Sequence, residues 1–190
     1  MDDVNGLATV LIAPDLDCAL APANFVTLER VEDLRLNEDV AAHYHYALSL
    51  LPERPDALAL PMALPRLGKA ARAFAERHLM EQLVALGEER CSRLSDPMAR
   101  LVVRVLEQSE ANYAEDCEVL RIAGQALRGQ IAPGTLLMTP ATPAPADMHG
   151  ALMAHALADL SILADVSGLP SIVIPVGRTG DNMPIALQLI

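Results

Sequence analysis

Apolar positions in this 190-residue chain fall into stretches of two kinds, one with helical spacing and one made of short continuous runs. Val40, Tyr44, Ala47, Leu48 and Leu51 recur at the three- and four-residue steps that gather side chains on one stripe of a helix. Asn37 stands ahead of them as an N-cap, and Glu38 and Asp39 occupy the first turn, where unpaired amides favour negative charge. Pro52 and Pro55 close that helix, predicted over residues 37–51. Residues 56–60 read as a short buried strand stopping at Pro61, and residues 66–92 are rich in the strong helix formers Ala, Leu, Glu and Arg. Ser95-Asp96-Pro97 is a helix start signal, followed by the stripe Leu101, Val102, Val105 and Leu106. A further helix is predicted from Asn112 over residues 113–131, with Cys117, Leu120, Ala123 and Leu127 on its stripe and Pro133-Gly134 breaking it.

The continuous apolar runs follow. Residues 135–139 predict a buried strand, 140–146 a proline-rich loop, and 151–166 a helix. Gly168 takes the positive φ that ends a helix at little steric cost, and Pro170 prevents the helix from resuming. Residues 171–176 are short, apolar and β-branched, which suits a strand covered on both faces; turn formers at 177–182 then lead into a second apolar strand, 184–190. Near the N-terminus, residues 8–13 and 25–31 are strand candidates separated by a loop containing Pro14 and Pro22. Helices alternating with short apolar strands define an α/β class ending in a two-strand, Gly/Pro-bounded hairpin-like segment. No internal repeat or linker divides the chain, so residues 1–190 are expected to lie within one domain.

Composition narrows the function. A net charge of -11 argues against nucleic acid, whose phosphates are met by clustered Lys and Arg. No apolar run approaches the ~20 residues of a membrane span, and Met1-Asp2-Asp3 lacks a basic signal region, so a cytoplasmic location is expected. Cys18, Cys91 and Cys117 are odd in number and widely spaced, which predicts reduced, buried thiols. The 52% hydrophobic share fits a well-buried core, or equally a piece of a larger domain with surface meant for the remainder.

The end of the chain resembles the amidase signature family. The residues that carry the resemblance are Gly168, Leu169, Pro170, Pro175, Gly177, Pro184, Gln188 and Leu189. Leu136, Leu137, Pro140, Thr142 and Pro143 are similar to a second stretch of that family, and the order of helices, with Tyr113 and Arg121 on one of them, is similar too. Gly134, Asp147 and Ala186 depart from the family's usual Asp, Pro and Gly, the last implying altered strand packing. The resemblance implies part of an amidase fold, a mixed sheet flanked by helices. It also implies hydrolysis of carbon–nitrogen amide bonds through an acyl-serine intermediate, with a small amide substrate and no cofactor. The family's catalytic Ser, second Ser and Lys lie in a Gly/Ser-rich segment that has no counterpart in these 190 residues, so the chain is expected to be truncated at both ends and to lack catalytic residues. An N-terminal half or a second copy is the expected partner. Two other readings stay open, a non-catalytic partner in a split or degenerate amidase and an unrelated small α/β binding protein.

The residues themselves offer little independent chemistry. There is no Gly-x-Ser-x-Gly, Ser-x-x-Lys or Gly-Gly-Ser-Ser run and no phosphate-binding glycine motif. The single lysine, Lys69, reads as solvent-facing, and Ser167 as a helix C-terminal residue. His43 and His45 diverge on a helix, and His149 and His155 lack partners of ligand type, so no metal site is expected. Two loops remain, 140–147 and 165–170, both expected at one edge of the sheet, where α/β proteins bind ligands. Thr142, Asp165, Gly168, Leu169 and Pro170 are the candidates to shape a substrate pocket there.

Overall fold

The computed structural model describes residues 24–85, 95–146 and 160–190. The predicted strand at 8–13 and most of the helix at 151–166 lie outside them, as do Cys18, Cys91, Asp147, His149 and His155. The elements run β1 (Asn24–Leu28), a 3-10 turn (Val31–Leu34), α1 (Glu38–Ser49), β2 (Asp56–Leu58), α2 (Leu64–Ala85), α3 (Asp96–Glu107), α4 (Glu110–Gln130), β3 (Thr135–Pro140), α5 (Ile162–Ser167), β4 (Ile172–Arg178) and β5 (Pro184–Leu189). The protein is α/β, with a mixed five-stranded sheet in the order β2-β1-β3-β5-β4. β1 runs parallel to β2 and β3, while β5 is antiparallel to both β3 and β4.

Local chemistry accounts for most helix ends. The Asn37 side chain accepts the Asp39 N–H at 3.0 Å and caps α1. Ser109 caps α4 by accepting the Asn112 N–H at 3.2 Å, so this helix begins at Glu110, ahead of the predicted start. Ser95 precedes α3 without a side-chain cap bond, and Pro97 stands in the first turn. Gly134 and Gly168 take the left-handed conformation, with φ of 82° and 67°.

The core gathers Leu67, Leu127, Leu137 and Leu163, all fully buried, around the sheet and α2, α4 and α5. The predicted stripe of α4 is only partly realised, with Ala123 and Leu127 buried and Cys117 half-buried as a free thiol. α4 approaches α5 closely enough that a Cβ on Gly124 would stand 2.5 Å from the Val166 carbonyl oxygen. α1 lies on the sheet through Tyr44, whose buried hydroxyl donates to the Met138 carbonyl at 3.2 Å. A β-bulge between Pro175 and Gly177 interrupts the β4–β5 ladder, and the His43 ring sits directly over Gly177.

One expectation is corrected. β4 is not covered on both faces: it forms an edge of the sheet, and Ile172, Val173 and Ile174 are 49%, 56% and 39% exposed. Its apolar composition specifies a strand suited to burial, yet among the described residues no element covers its outer side.

Candidate functional site

The loop after β3 is built by Pro140 and Pro143, which stop the strand. Thr142 is exposed on this loop, and its hydroxyl donates to the Ala144 carbonyl at 2.7 Å, closing a local turn. The Pro143 carbonyl accepts the Asn37 N–H at 2.9 Å, which ties the loop to the start of α1.

The second loop is the end of α5. The Gly168 N–H returns to the Ala164 carbonyl at 2.8 Å, ending the helix as its positive φ predicts. Ser167 is fully buried; its hydroxyl donates to the Ala164 carbonyl at 2.9 Å and accepts the Leu169 N–H at 3.2 Å. It therefore acts as a helix C-terminal residue, as expected. Arg128 reaches across from α4 and donates to the Ser167 carbonyl at 2.8 Å. Asp165 and Pro170 are exposed, and Leu169 is half-buried against the core.

The two loops do not meet. β5 lies between β3 and β4 and runs against both, so β3 and β4 point the same way. Thr142 follows the C-terminal end of β3, whereas Asp165, Gly168, Leu169 and Pro170 precede the N-terminal end of β4. Pro140 is level with Ile174 through Leu187, so about six residues of strand separate Thr142 from Pro170, roughly 20 Å at about 3.3 Å per residue. The shared sheet edge expected from the sequence is replaced by opposite ends, because the inner position of β5 sets the polarity of β4.

A cavity of about 630 Å³ opens near the first loop, at the C-terminal ends of the parallel strands β1 and β2. Leu28, Leu34, Leu58, Leu64, Pro143 and Leu160 give it apolar walls, and Glu29, Arg30 and Arg35 bring charge to it. None of the five loop candidates lines it. Its only forewarning in the sequence is the cluster of leucines around Pro61 and Pro65. Arg35 adopts a left-handed conformation there, with φ of 49°.

A second, polar cleft of about 510 Å³ lies among α2, α3 and α4 and includes Lys69, which is solvent-exposed as expected. Its charges are largely paired. Arg66 donates to the buried Asp116 at 2.6 Å and to Glu115 at 3.1 Å, and Arg104 donates to Glu76 at 2.6 Å. These hydrogen bonds hold the Arg66 and Arg104 guanidinium groups above their ordinary pKa. Tyr113 stacks on Phe74 with Arg77 over its ring, and burial raises its phenol above the ordinary value. Among the described residues no three His, Cys, Asp or Glu side chains gather as metal ligands, and His43 and His45 diverge, His43 bonding through Nδ1–H to the Asp39 carbonyl at 2.8 Å. No described helix is long and apolar enough to cross a membrane.

No family sequence model matches the chain, and no curated protein matches it significantly. Solved structures do. An amidase superposes with a TM-score of 0.75 at 16% identity, over 90% of this chain and 42% of that one. One of the subunits of the Thermotoga maritima glutamyl-tRNA(Gln) amidotransferase gives a TM-score of 0.70 at 20% identity, over 90% and 38%. A bacterial aryl acylamidase of the amidase signature family gives 0.64 at 15% identity, over 88% and 39%. The fold is that of part of an amidase signature enzyme. This chain spans about two fifths of the length of these structures.

Proposed function

We propose that this chain is the C-terminal part of an amidase-type hydrolase acting on carbon–nitrogen amide bonds. The observation that carries the reading is the coverage: 90% of the chain lies on an amidase fold, but only 42% of the amidase lies on the chain. In this reading residues 1–190 belong to one amidase domain in the cytoplasm, and the acyl-serine chemistry is supplied by a serine, a second serine and a lysine outside them. The acyl oxyanion is held by backbone N–H groups of that other segment. Thr142, Asp165, Gly168, Leu169 and Pro170 are surfaces of two loops that shape the substrate pocket and pack on the catalytic segment. Because they lie at opposite ends of the strands, they act on different parts of it. A small amide is the substrate, with no cofactor.

The likeness to one chain of an amidotransferase supports a second reading, in which this chain is a non-catalytic partner in a split or degenerate amidase. The test starts with the coding DNA on both sides of residues 1–190. A lysine followed by a Gly/Ser-rich segment is expected there, and amide turnover is expected only when that segment and this chain are present together. Turnover by the purified 190-residue chain alone, abolished by mutating its own serines, overturns the proposal. A Gly/Ser-rich segment that assembles with the chain yet gives no turnover favours the non-catalytic reading.

A further inference from the structure

The two edges of the sheet are built differently. β2 is three residues long, carries Asp56 and is bracketed by Pro55 and Pro61, which are devices that keep an edge from pairing. β4 is seven residues long, has no charge before Arg178, and exposes Ile172, Val173 and Ile174. Adjacent strand residues point to opposite faces, so Val173 projects on one side of the sheet and Ile172 and Ile174 on the other. Apolar side chains stand exposed on both faces of this edge strand.

Backbone polarity can be read from the ladder. Leu137 and Ile190 exchange both backbone hydrogen bonds, at 2.9 and 3.0 Å, and the Ala141 N–H bonds to the Ala186 carbonyl at 2.9 Å. The even-numbered residues of β5 therefore bond to β3, and Leu187 and Leu189 bond to β4. Ile172 and Ile174, opposite Leu189 and Leu187, direct their N–H and C=O groups inward. Val173 directs both of its groups outward. Pro175 also faces outward, where its missing N–H costs no bond within the sheet.

Resting on the amidase-part reading, we propose that the outer edge of β4 is the seam at which the remainder of the amidase fold docks. It adds a strand hydrogen-bonded to Val173 and covers both faces over Ile172, Val173 and Ile174. Because Pro175 offers a carbonyl and no donor, the added strand engages the N-terminal half of β4 and diverges towards the bulge. The occupant is a strand of the complementary amidase segment, chosen because, among the described residues, the protected β2 edge leaves β4 as the edge open to extension and because about three fifths of each matching structure lies beyond this chain.

The probe is the polypeptide carrying the Lys and Gly/Ser-rich segment encoded beside this chain, expressed separately and mixed with it. Hydrogen–deuterium exchange is read at the Val173 amide, and affinity is measured for the wild type, Val173→Asp and Ile174→Lys. Thermal unfolding confirms that these edge variants fold. The proposal expects exchange at Val173 to slow by about tenfold or more on mixing, and each variant to weaken the complex by about tenfold or more. A complex that forms with Val173 exchange and variant affinities unchanged overturns the seam and leaves the functional reading intact. Absence of such a polypeptide, or of any complex, overturns both. Protection of Val173 in the isolated chain overturns the seam by showing that the edge is covered by the chain's own residues or, if Val173→Asp abolishes self-association in sedimentation, by a second copy.

Discussion

Gly124 and Gly129 lie on the same helix, and replacing each with Ala isolates the packing of α4 on α5. Either replacement adds about 1 kcal/mol of helix propensity. Gly129 is exposed and nothing lies within 4 Å of its would-be Cβ, so Gly129→Ala is expected to stabilise by about that amount. At Gly124 the added methyl meets the Val166 carbonyl oxygen at 2.5 Å and the Arg128 guanidinium at 3.3 Å. The arginine can swing aside only by loosening its bond to the Ser167 carbonyl, and the Val166 oxygen is backbone. Relief requires α5 to move, and overpacking of this kind costs about 2–3 kcal/mol. Subtracting the propensity gain leaves a net loss of about 1–2 kcal/mol, so the two variants should differ by about 2–3 kcal/mol. Urea unfolding of the purified chain reads this as midpoints shifted in opposite directions with an unchanged slope. Gly124→Ala at or above wild-type stability would refute the claim that α4 and α5 are in backbone contact here.

The caps give a second comparison. Asn37→Ala and Ser109→Ala each remove a side-chain bond to a first-turn N–H and are expected to cost about 1 kcal/mol, whereas Ser95→Ala, which removes none, should leave the thermal midpoint within about 1 °C. Tyr113 supplies a pH dependence. Burial favours its neutral phenol, so the folded pKa lies above the ordinary 10.0, and the stability it contributes is present below pH 10 and lost as pH rises towards the folded value. The ultraviolet titration of the wild type minus that of Tyr113→Phe should show one phenol ionising above pH 10; a difference step at or below pH 10 would contradict the assignment.

The helices were largely legible because helical spacing and end signals agree at Asn37, Pro97 and Gly168. The start of α4 differs from the expected one because Ser109 supplies the cap and Asn112 donates to it, and a residue list does not distinguish donor from acceptor. β4 was recognised as a strand, but its apolar residues record only that burial suits them, not which polypeptide provides the cover. The separation of Thr142 from Gly168 was hidden for a related reason. Which strand of a hairpin sits inside a sheet depends on long-range pairing, and the local alternation around residues 172–189 is the same either way. The cavity near Pro143 is not legible in the sequence, because leucines that line a void read the same as leucines that fill a core.

The bulge in β4 changes which residue lies beneath α1. Up to Pro175 the strand advances one residue for each residue of β5, and Ile185 would then stand opposite Val176. The extra residue shifts the count, so Gly177 takes that place under the His43 ring, where any Cβ would collide. The irregular step thus sets a hydrogen, where an even register would set the Val176 isopropyl group, at a rung where the helix comes down on the sheet. Deleting Val176 would restore an even ladder and shorten the strand by one residue, yet every later side chain of β4 would keep its present face, Gly177 included. Moving the same deletion to the far side of the turn would not have that effect, so the parity of this strand is held locally, within two residues of its proline.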